Sequence, residues 1–285
     1  MSGCLYVVAT PIGNLEDITL RALRVLREAS AVLAEDTRHT RTLLAHHQIA
    51  TRLVALHAYT PAARIAELAR ELAEGATFAL VSDAGTPVVS DPGAELVRAA
   101  IEAGVPVTPI PGASAVLAAL VASGIPAPTF EFLGFLPRAG AKRRERLARI
   151  RRAEGAIVLF ESPRRLAATL RDLADTVGER PVVVGRELTK LHEELARGSA
   201  AALAERFAEG ARGEITIVVG ADASGSDAGE PPDEEALDRA ADALLAEGLS
   251  ARDAADRLAE ATGIGRRDAY QRILERRRAD EDEDE

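Results

Sequence analysis

The sequence predicts an α/β protein with two α/β domains followed by a small helical C-terminal extension. Apolar runs alternate with segments in which apolar residues recur at steps of three and four, the spacing of an amphipathic helix. Strands and helices in alternation are typical of a parallel sheet covered on both faces. The 285 residues are also enough for two domains of ordinary size.

A first series of apolar runs predicts the strands of an N-terminal α/β domain, residues 1–120. Helical segments such as ITLRALRVLREA and ARIAELARELAEG lie between these runs. The predicted strands are 5–10 (LYVVAT), 31–35 (AVLAE), 53–59 (LVALHAY), 77–83 (TFALVSD) and 105–112 (VPVTPIPG). Each run is short and bounded by turn residues, as buried strands are.

A second series predicts a C-terminal α/β domain, residues 121–222. Its strands are 130–136 (FEFLGFL), 156–162 (AIVLFES), 181–188 (PVVVGREL) and 214–221 (EITIVVGA). Residues 223–233 are small, polar and acidic, which is typical of a flexible linker. Residues 234–285 return to a helical pattern, predict two or three short helices, and end in the acidic tail EDEDE.

The net charge of −10 belongs to the C-terminal end of the chain. Residues 221–285 hold 20 acidic and 9 basic side chains, whereas residues 1–220 hold 25 acidic and 26 basic ones. The main body is therefore nearly neutral, and an anionic partner is not excluded. Within it, the segment from Arg138 to Arg152 has eight basic residues and one acid. Such a run is typical either of a solvated helix face or of a surface that binds nucleic-acid phosphates.

Cysteine and histidine usage argues against a disulfide framework and against a metal site. Cys4 is the one cysteine, and the five histidines lack the spacing of zinc ligands. No apolar run approaches the roughly eighteen residues of a membrane span. The amino terminus enters a strand-like run without the basic start of a signal peptide. We therefore expect a cytoplasmic protein without a metal ion.

Turn residues and carboxylates follow the predicted strands, at the edge where parallel sheets bind their ligands. VSDAGTPVVSDPG, from Val81 to Gly93, follows the fourth strand, and ATPIGNLED, EDTRHT and PGASA follow other strands. The sequence has no P-loop motif and no strand-linked G-x-G-x-x-G. The loops instead offer backbone amides and the carboxylates Asp83 and Asp91. These groups suit a ligand with amide-like edges, hydroxyls and positive charge.

Eight segments occur in the order and spacing of one family. They are LYVVATPIGNLEDIT, AEDTRHT, SDAGTPVVSDPG, PGASA, FLGFLP, FESPRR, RELTKLHEE and GEITIVV. On these segments the chain resembles, over about residues 5–221, the bacterial 16S rRNA (cytidine-2′-O)-methyltransferases of the tetrapyrrole methylase superfamily. The resemblance implies a homodimer that binds S-adenosylmethionine (SAM) in a cleft between two α/β domains. It also implies that the acceptor is the ribose of a decoding-centre cytidine in the small ribosomal subunit.

The resemblance implies that loops after the strands hold SAM. Asp83 can accept hydrogen bonds from amine or hydroxyl groups of the cofactor, and Gly85 lets the backbone approach it closely. Asp91 is predicted instead to cap the following helix, within Asp91-Pro92-Gly93. The predicted cofactor-binding residues are Pro11, Gly13, Asp83, Ala84, Gly85, Thr86, Ala113, Ser114, Phe160, Glu161 and Leu188.

A ribose hydroxyl is a weak nucleophile until its proton leaves, so a base or a nearby cation should assist. Lys190, one of two lysines in the chain, is the predicted catalytic residue. Burial can lower the pKa of a lysine so that it acts as a base, or the lysine can stay charged and act as a cation. The alternative is a surface ion pair with Glu193 or Glu194. The residues predicted to contact the RNA are Asp36, Arg38, Arg143, Arg144 and Arg186.

Two other functions remain open from the sequence. One is C-methylation of a corrinoid or another tetrapyrrole by the same fold. The other is a module that binds SAM or RNA without turnover. The segments EDTRHT and RELTKLHEE, the basic run and the C-terminal extension favour RNA over a tetrapyrrole.

Overall fold

The structure, a computed structural model, describes residues 3–89, 91–221, 234–262, 264 and 266–283. The chain forms two compact units, residues 1–221 and residues 222–285. Within the described residues, the larger unit contains two five-stranded sheets with helices between the strands, and the smaller unit contains three helices. The predicted fold class is therefore confirmed. The predicted linker, residues 223–233, lies outside the described residues.

The first sheet is parallel throughout, with strand order β3–β2–β4–β1–β5. Its strands are β1 (Cys4–Val8), β2 (Ala31–Ala34), β3 (Leu53–Ala55), β4 (Thr77–Val81) and β5 (Val107–Ile110). Its helices are α1 (Leu20–Glu28), α2 (Thr37–His46), α3 (Ala62–Ala73) and α4 (Ala94–Glu102). Leu68 of α3 and Leu96 of α4 pack on one face, and Leu26 of α1 packs on the other. Because both faces are covered, the strands are apolar at most positions.

The second sheet is mixed, with strand order β6–β7–β10–β8–β9. Its strands are β6 (Phe130–Phe135), β7 (Ala156–Glu161), β8 (Pro181–Arg186), β9 (Glu194–Ser199) and β10 (Ile215–Val219). Its helices are α5 (Ala115–Ser123), α6 (Gly140–Arg151), α7 (Leu166–Val177) and α8 (Ala200–Arg206). Strand β10 runs antiparallel to both β7 and β8. Strand β9 was not predicted, because it lies at the sheet edge and buries only Ala196.

The C-terminal unit contains the helices α9 (Glu234–Ala246), α10 (Ala251–Thr262) and α11 (Arg266–Glu283). Ala241, Leu258 and Ile273, one from each helix, are buried in its core. Arg276 donates two hydrogen bonds of 2.7 Å to Asp242, and these bonds tie α11 to α9. The short helices predicted from the sequence are present.

The connections of the first sheet diverge between the neighbouring strands β2 and β4. From β2 the chain continues to β3 on one side, and from β4 it crosses β1 to reach β5 on the other side. Ligands of open α/β sheets bind at such a point, outside the carboxyl ends of the strands. There the Thr10 amide donates to the Gly85 carbonyl at 2.8 Å, and the Gly85 amide donates to the Thr10 carbonyl at 3.1 Å. The fold therefore joins the loops ATPIG and SDAGTP at one crevice.

Two kinds of feature are absent from the part of the chain that the structure describes. No three His, Cys, Asp or Glu side chains lie together as they would around a metal ion. None of the described helices is both long enough and apolar enough to cross a membrane.

Arg180, just before β8, is a buried arginine, 7% exposed. Its guanidinium donates to the carbonyl oxygen of Gly220 at 2.8 Å and to that of Ile150 at 3.0 Å. Gly220 follows β10, and Ile150 lies in the last turn of α6. One side chain thus connects three elements of the second domain through groups that solvent cannot reach.

Replacing Arg180 by methionine should destabilise the protein. The substitution keeps an apolar stem but leaves buried carbonyl oxygens without donors, at about 1–3 kcal/mol for each. We expect the free energy of unfolding, measured by chemical denaturation, to fall by about 2–5 kcal/mol. Arg171→Met, at an exposed position of α7, is the matched control and should change it by no more than about 0.5 kcal/mol. Equal stability of the two variants would contradict this role.

Candidate functional site

A cavity of about 370 Å³ lies at the crevice between the two sheets. Small-molecule sites in proteins commonly have volumes of about 300–1,000 Å³. Phe135 at the end of β6 and Phe160 near the end of β7 form an aromatic wall, with ring centroids 5.7 Å apart. The loop after β4 and the start of α5 form other walls. We call this space the larger cavity.

Backbone conformation brings the loop after β4 close to this cavity. Gly85 has a φ of +74°, and a Cβ there would stand 3.3 Å from Ile12 Cγ2. Val88 also has a positive φ, +73°, which is unfavourable for a β-branched residue. Residues persist in such conformations where their surroundings impose them, as at ligand-binding sites. The many turn residues of SDAGTPVVSDPG thus fit a strained loop that lines a cavity.

Asp91 lies in the wall of the larger cavity and does not cap α4. The N-cap residue of α4 is Gly93, with a φ of 115° and no side-chain hydrogen bond to the helix. The predicted capping role is therefore wrong, because the left-handed turn at Gly93 leaves Asp91 two residues before the cap. Burial raises the pKa of Asp91, a hydrogen bond from Ser82 lowers it, and the charge of Asp83 raises it.

Other carboxylates lie beside Asp91, at the ends of β2 and β4. The Asp83 carboxylate accepts a hydrogen bond of 3.0 Å from the Asp36 amide, which ties the two loops together. Burial raises the pKa of Glu35, and the charges of Asp83, Asp91 and Asp36 raise it further. This concentration of negative charge favours a cationic ligand in the crevice.

A more polar cavity of about 250 Å³ adjoins the larger one, and we call it the smaller cavity. Ile12, Ala84 and Glu214 line both cavities. The smaller cavity is also lined by Pro11, Gly13, His39, Asp83 and Lys190. Two ligands bound in these cavities would therefore lie next to each other.

Lys190 is held by two carboxylates at the smaller cavity. Its Nζ lies 2.9 Å from Glu187 Oε1 and 3.2 Å from Glu214 Oε2. Burial lowers the pKa of Lys190, but the hydrogen bonds and charges of Glu187 and Glu214 outweigh burial, so the pKa is raised. The surroundings therefore favour the charged ammonium, and with it a role as a cation rather than as a base.

Two glycines leave the space that Lys190 and Glu187 occupy. A Cβ on Gly13 would collide with the Lys190 side chain, and a Cβ on Gly213 would collide with the Glu187 carboxylate. Glu187 Oε1 also accepts a hydrogen bond of 2.9 Å from the Glu214 amide. The Thr189 hydroxyl, beside Gly13, is buried without a hydrogen-bond partner among the described residues.

The structure distributes the predicted cofactor residues over both cavities. Ala84, Gly85, Thr86, Ser114, Phe160 and Glu161 line the larger cavity, and Pro11, Gly13, Asp83 and Ala84 line the smaller one. The Ala113 carbonyl accepts a 3.5 Å hydrogen bond from the Thr86 hydroxyl. Leu188 lines neither cavity, because its side chain packs in the core against Gly185.

The predicted RNA-contacting residues do not form one surface patch. Asp36 caps α2 and accepts hydrogen bonds from Arg38, which hold the pKa of Asp36 well below its usual range. The Asp36 amide binds Asp83, which lines the smaller cavity, but neither Asp36 nor Arg38 lines that cavity. Arg186 instead pairs with Glu194 at 2.8 Å. The alternative in which Lys190 pairs with Glu193 or Glu194 is therefore wrong: Glu194 pairs with Arg186, and Lys190 pairs with Glu187 and Glu214.

Arg143 differs from the expectation of a solvated, phosphate-binding run. Its side chain is 11% exposed, because α6 packs it against α7. Its guanidinium donates to Asp172 at 2.7 Å, to the Pro137 carbonyl at 2.9 Å and to Thr169 at 3.1 Å. Most of its donors are used within the protein, whereas Arg144 is exposed to solvent.

Several residues of the two cavities were not predicted from the sequence, namely Ile12, His39, Phe135 and Glu214. Phe135 and Glu214 lie in FLGFLP and GEITIVV, two segments that carry the family resemblance. Glu214 was the detectable signal, since it is an acid directly before a strand in which Thr216 is the one polar residue. Ile12 and Phe135 could not be separated from core residues by pattern alone.

Comparison with known families matches most of the chain. The Tetrapyrrole (Corrin/Porphyrin) Methylases match residues 4–204, and the RsmI C-terminal HTH domain matches residues 230–277. Among solved structures, uroporphyrin-III-C-methyltransferase from Thermus thermophilus is 27% identical, with a TM-score of 0.54, over 79% of this chain and 95% of that one. A diphthine synthase, 17% identical with a TM-score of 0.61 over 76% and 90% of the two chains, shares the fold.

Closer relatives are proteins named ribosomal RNA small subunit methyltransferase I. The one from Halalkalibacterium halodurans is 43% identical over 94% of this chain and 93% of its own length. The one from Synechocystis is 45% identical over 96% of this chain and 98% of its own length. The chain therefore belongs to the tetrapyrrole methylase family and, within it, to the ribosomal RNA small subunit methyltransferase I proteins.

Proposed function

We propose that the protein transfers a methyl group from SAM to the 2′-hydroxyl of cytidine 1402 in the 16S rRNA of the small ribosomal subunit. The shared name of the relatives supports the reaction class. One observation carries the proposal: a cavity with an aromatic wall adjoins a polar cavity lined by Lys190, and they meet at Ile12, Ala84 and Glu214. A methyl donor and an acceptor bound there would face each other. This substrate also agrees with the cytoplasmic location expected from the sequence.

The larger cavity has the chemistry that SAM requires. SAM carries a flat base, ribose hydroxyls and a sulfonium cation. Phe135 and Phe160 suit the base, and the carboxylates of Asp91 and Glu214 suit the hydroxyls and the positive charge. The proposed cofactor-binding residues are Ala84, Gly85, Thr86, Asp91, Ser114, Phe135, Phe160 and Glu161.

The protein contributes placement and electrostatics to the reaction. Bound SAM supplies a methyl group activated by its sulfonium sulfur. Lys190, held by Glu187 and Glu214, would stand beside the ribose hydroxyl in the smaller cavity. Its ammonium would stabilise the oxygen as the hydroxyl proton passes to solvent water, and its raised pKa keeps it charged at neutral pH.

C-methylation of a tetrapyrrole is the second candidate. Against it, this chain is 43–45% identical to rRNA methyltransferases over nearly its whole length. Its identity to uroporphyrin-III-C-methyltransferase is 27%, over 79% of the chain. The match to the RsmI C-terminal HTH domain also extends beyond the tetrapyrrole methylase region. RNA is therefore the better-supported substrate.

Methyl transfer from labelled SAM separates the three functions. The acceptors are 30S particles from cells that lack this gene, naked 16S rRNA and uroporphyrinogen III. Label on the 2′-oxygen of cytidine 1402 supports the proposal, and label on the tetrapyrrole alone overturns it. SAM binding without transfer to any acceptor would indicate a non-catalytic module.

The protein is also proposed to form a homodimer through α5. This helix is apolar on all sides: Ala119 and Leu120 are buried, while Leu117 and Val121 are 52% and 81% exposed. Phe130 at the start of β6 is also exposed. A helix with apolar residues on all sides is normally buried on all sides. A second copy of the chain would cover the outer face of α5.

SAM binding should depend on pH through Asp91. Because the pKa of Asp91 is raised, its carboxylate becomes neutral at a higher pH than an ordinary aspartate does. As the pH falls through that raised pKa, the attraction for the sulfonium is lost and the Kd should rise about tenfold. Asp91→Asn should bind SAM about tenfold more weakly at neutral pH and lack this dependence.

Isothermal calorimetry of both proteins across the acid range measures this effect. Asp83→Asn is the matched control: because Asp83 lines the smaller cavity but its charge raises the pKa of Asp91, this variant should keep the pH dependence and shift it to lower pH. Wild-type affinity in folded Asp91→Asn would remove Asp91 from the cofactor site.

Lys190→Arg should lower methyl transfer to 30S particles by about 100-fold while SAM affinity is kept. The charge remains, but a guanidinium is wider than the space that Gly13, Glu187 and Glu214 leave for an ammonium. Lys190→Met should be at least as impaired. Lys142→Arg, at the other lysine of the chain, is the matched control. Wild-type turnover by Lys190→Met would end this assignment.

Val121→Glu should shift the protein from dimer to monomer, because a carboxylate would be buried in the interface without a partner. We expect the dimer dissociation constant, from analytical ultracentrifugation, to rise about 100-fold or more. Ile101→Glu, at a 61% exposed apolar position of α4, should leave it unchanged. Dissociation by Ile101→Glu but not by Val121→Glu would move the interface away from α5.

A further inference from the structure

Another charged cavity lies outside the two described above. It is an open space of about 510 Å³ at the starts of α6 and α7, and we call it the arginine cavity. Its charged lining consists of Arg138, Arg143, Arg164, Arg165 and Asp172. The proposed catalytic steps do not use it.

Two of the four arginines form a fixed wall of the arginine cavity. Arg143 is bound to Asp172, as described above. Arg165 donates to the Leu136 carbonyl at 2.6 Å and lies 3.2 Å from the carboxylate of Glu161. Each of these guanidinium groups is therefore fixed in place and matched by one carboxylate.

The other two arginines supply positive charge that is not matched. Arg138 precedes α6, Arg164 precedes α7, and both are exposed. Within the described ranges, neither guanidinium forms a hydrogen bond or an ion pair with another residue. The cavity thus combines a fixed wall with two available cations.

Both helices also begin at the arginine cavity without a capping side chain. The N-cap residues, Ala139 of α6 and Arg165 of α7, make no side-chain hydrogen bond to their helices. The first turn of a helix has unpaired amides and partial positive charge, and such ends bind phosphate. Two helix ends and two available guanidinium groups favour a phosphate, whose oxygens match the planar donors of arginine.

The arginine cavity adjoins the larger cavity at the end of β7. Ser162 lines both cavities. Glu161, in the wall of the larger cavity, accepts a hydrogen bond of 2.6 Å from the Thr169 hydroxyl in the wall of the arginine cavity. An RNA strand that brings a ribose to the methyl donor carries a phosphate on either side of that ribose.

We propose that the arginine cavity binds a backbone phosphate of the RNA strand whose ribose enters the cleft. This inference rests on the proposed function and names where the acceptor is held. Arg138 and Arg164 contact the phosphate, and Arg143 and Arg165 shape the wall behind it. A free phosphate ion offers the same chemistry, so the test must separate the two sources.

The double variant Arg138→Gln/Arg164→Gln removes the two available charges and leaves the fixed wall intact. The probe is a synthetic single-stranded RNA with the sequence around cytidine 1402, and its affinity is measured over a series of salt concentrations. We expect about ten- to 100-fold weaker binding at low salt. The slope of log affinity against log salt should be shallower by about 0.7, the value for one phosphate of a single strand.

A matched control removes the same charge elsewhere. Arg98→Gln/Arg171→Gln changes exposed arginines of α4 and α7 that do not line the arginine cavity. This variant should keep the wild-type slope. In methyl transfer to 30S particles, the KM for particles should rise in Arg138→Gln/Arg164→Gln alone, while kcat stays within about twofold and SAM affinity is unchanged.

Three outcomes would overturn the inference. If log RNA affinity falls with log salt at the same slope in both double variants, the weaker binding reflects the lower net charge of the protein and not a phosphate bound in the arginine cavity. A loss of SAM affinity in Arg138→Gln/Arg164→Gln would assign the cavity to the carboxylate of the cofactor. If Arg138→Gln/Arg164→Gln loses the binding of inorganic phosphate but keeps its affinity for RNA, the arginine cavity is a site for a free phosphate ion. A wild-type protein that methylates no RNA contradicts the proposed function instead, and the slope comparison still decides the inference.

Discussion

Paired backbone hydrogen bonds between Thr10 and Gly85 set the geometry of the site. They join the loops that follow the neighbouring strands β1 and β4 at the carboxyl edge of the first sheet, where open parallel sheets bind their ligands. Because Gly85 has a positive φ, its loop turns toward Ile12, which packs in one cluster with residues of α5 and the second sheet. The two sheets therefore meet beside the loops that line both cavities.

Opposite charges are separated across this meeting point. Carboxylates, among them Asp83 and Asp91, lie at the ends of β2 and β4, on the side of the first sheet. Arginines collect at the starts of α6 and α7, beside the second sheet. A cationic methyl donor is favoured on the acidic side, and an anionic strand is favoured on the basic side. A nearly neutral main body can thus bind two ligands of opposite charge.

Lys190 lines the smaller cavity, and two glycines decide its position. Gly13 leaves room for the lysine stem, and Gly213 leaves room for the Glu187 carboxylate that binds the ammonium. Positive φ values at Glu187 and Thr189 turn the loop back on itself so that these groups meet. Since two carboxylates raise its pKa, Lys190 is suited to stabilise negative charge and not to accept a proton.

The alternation of strands and helices and the loops that form the site could be predicted from the amino-acid sequence, because local periodicity and turn residues act over a few positions. The family was indicated by the order and spacing of eight segments. The remaining features depend on how distant elements pack. Strand β9 buries one residue, so its pattern gave no signal. The burial of Arg143 and the choice of Glu187 and Glu214 as partners of Lys190 depend on packing between elements far apart in the chain. Several side chains far apart in the sequence could pair with the same residue, and which pair forms depends on how the elements that carry them pack together.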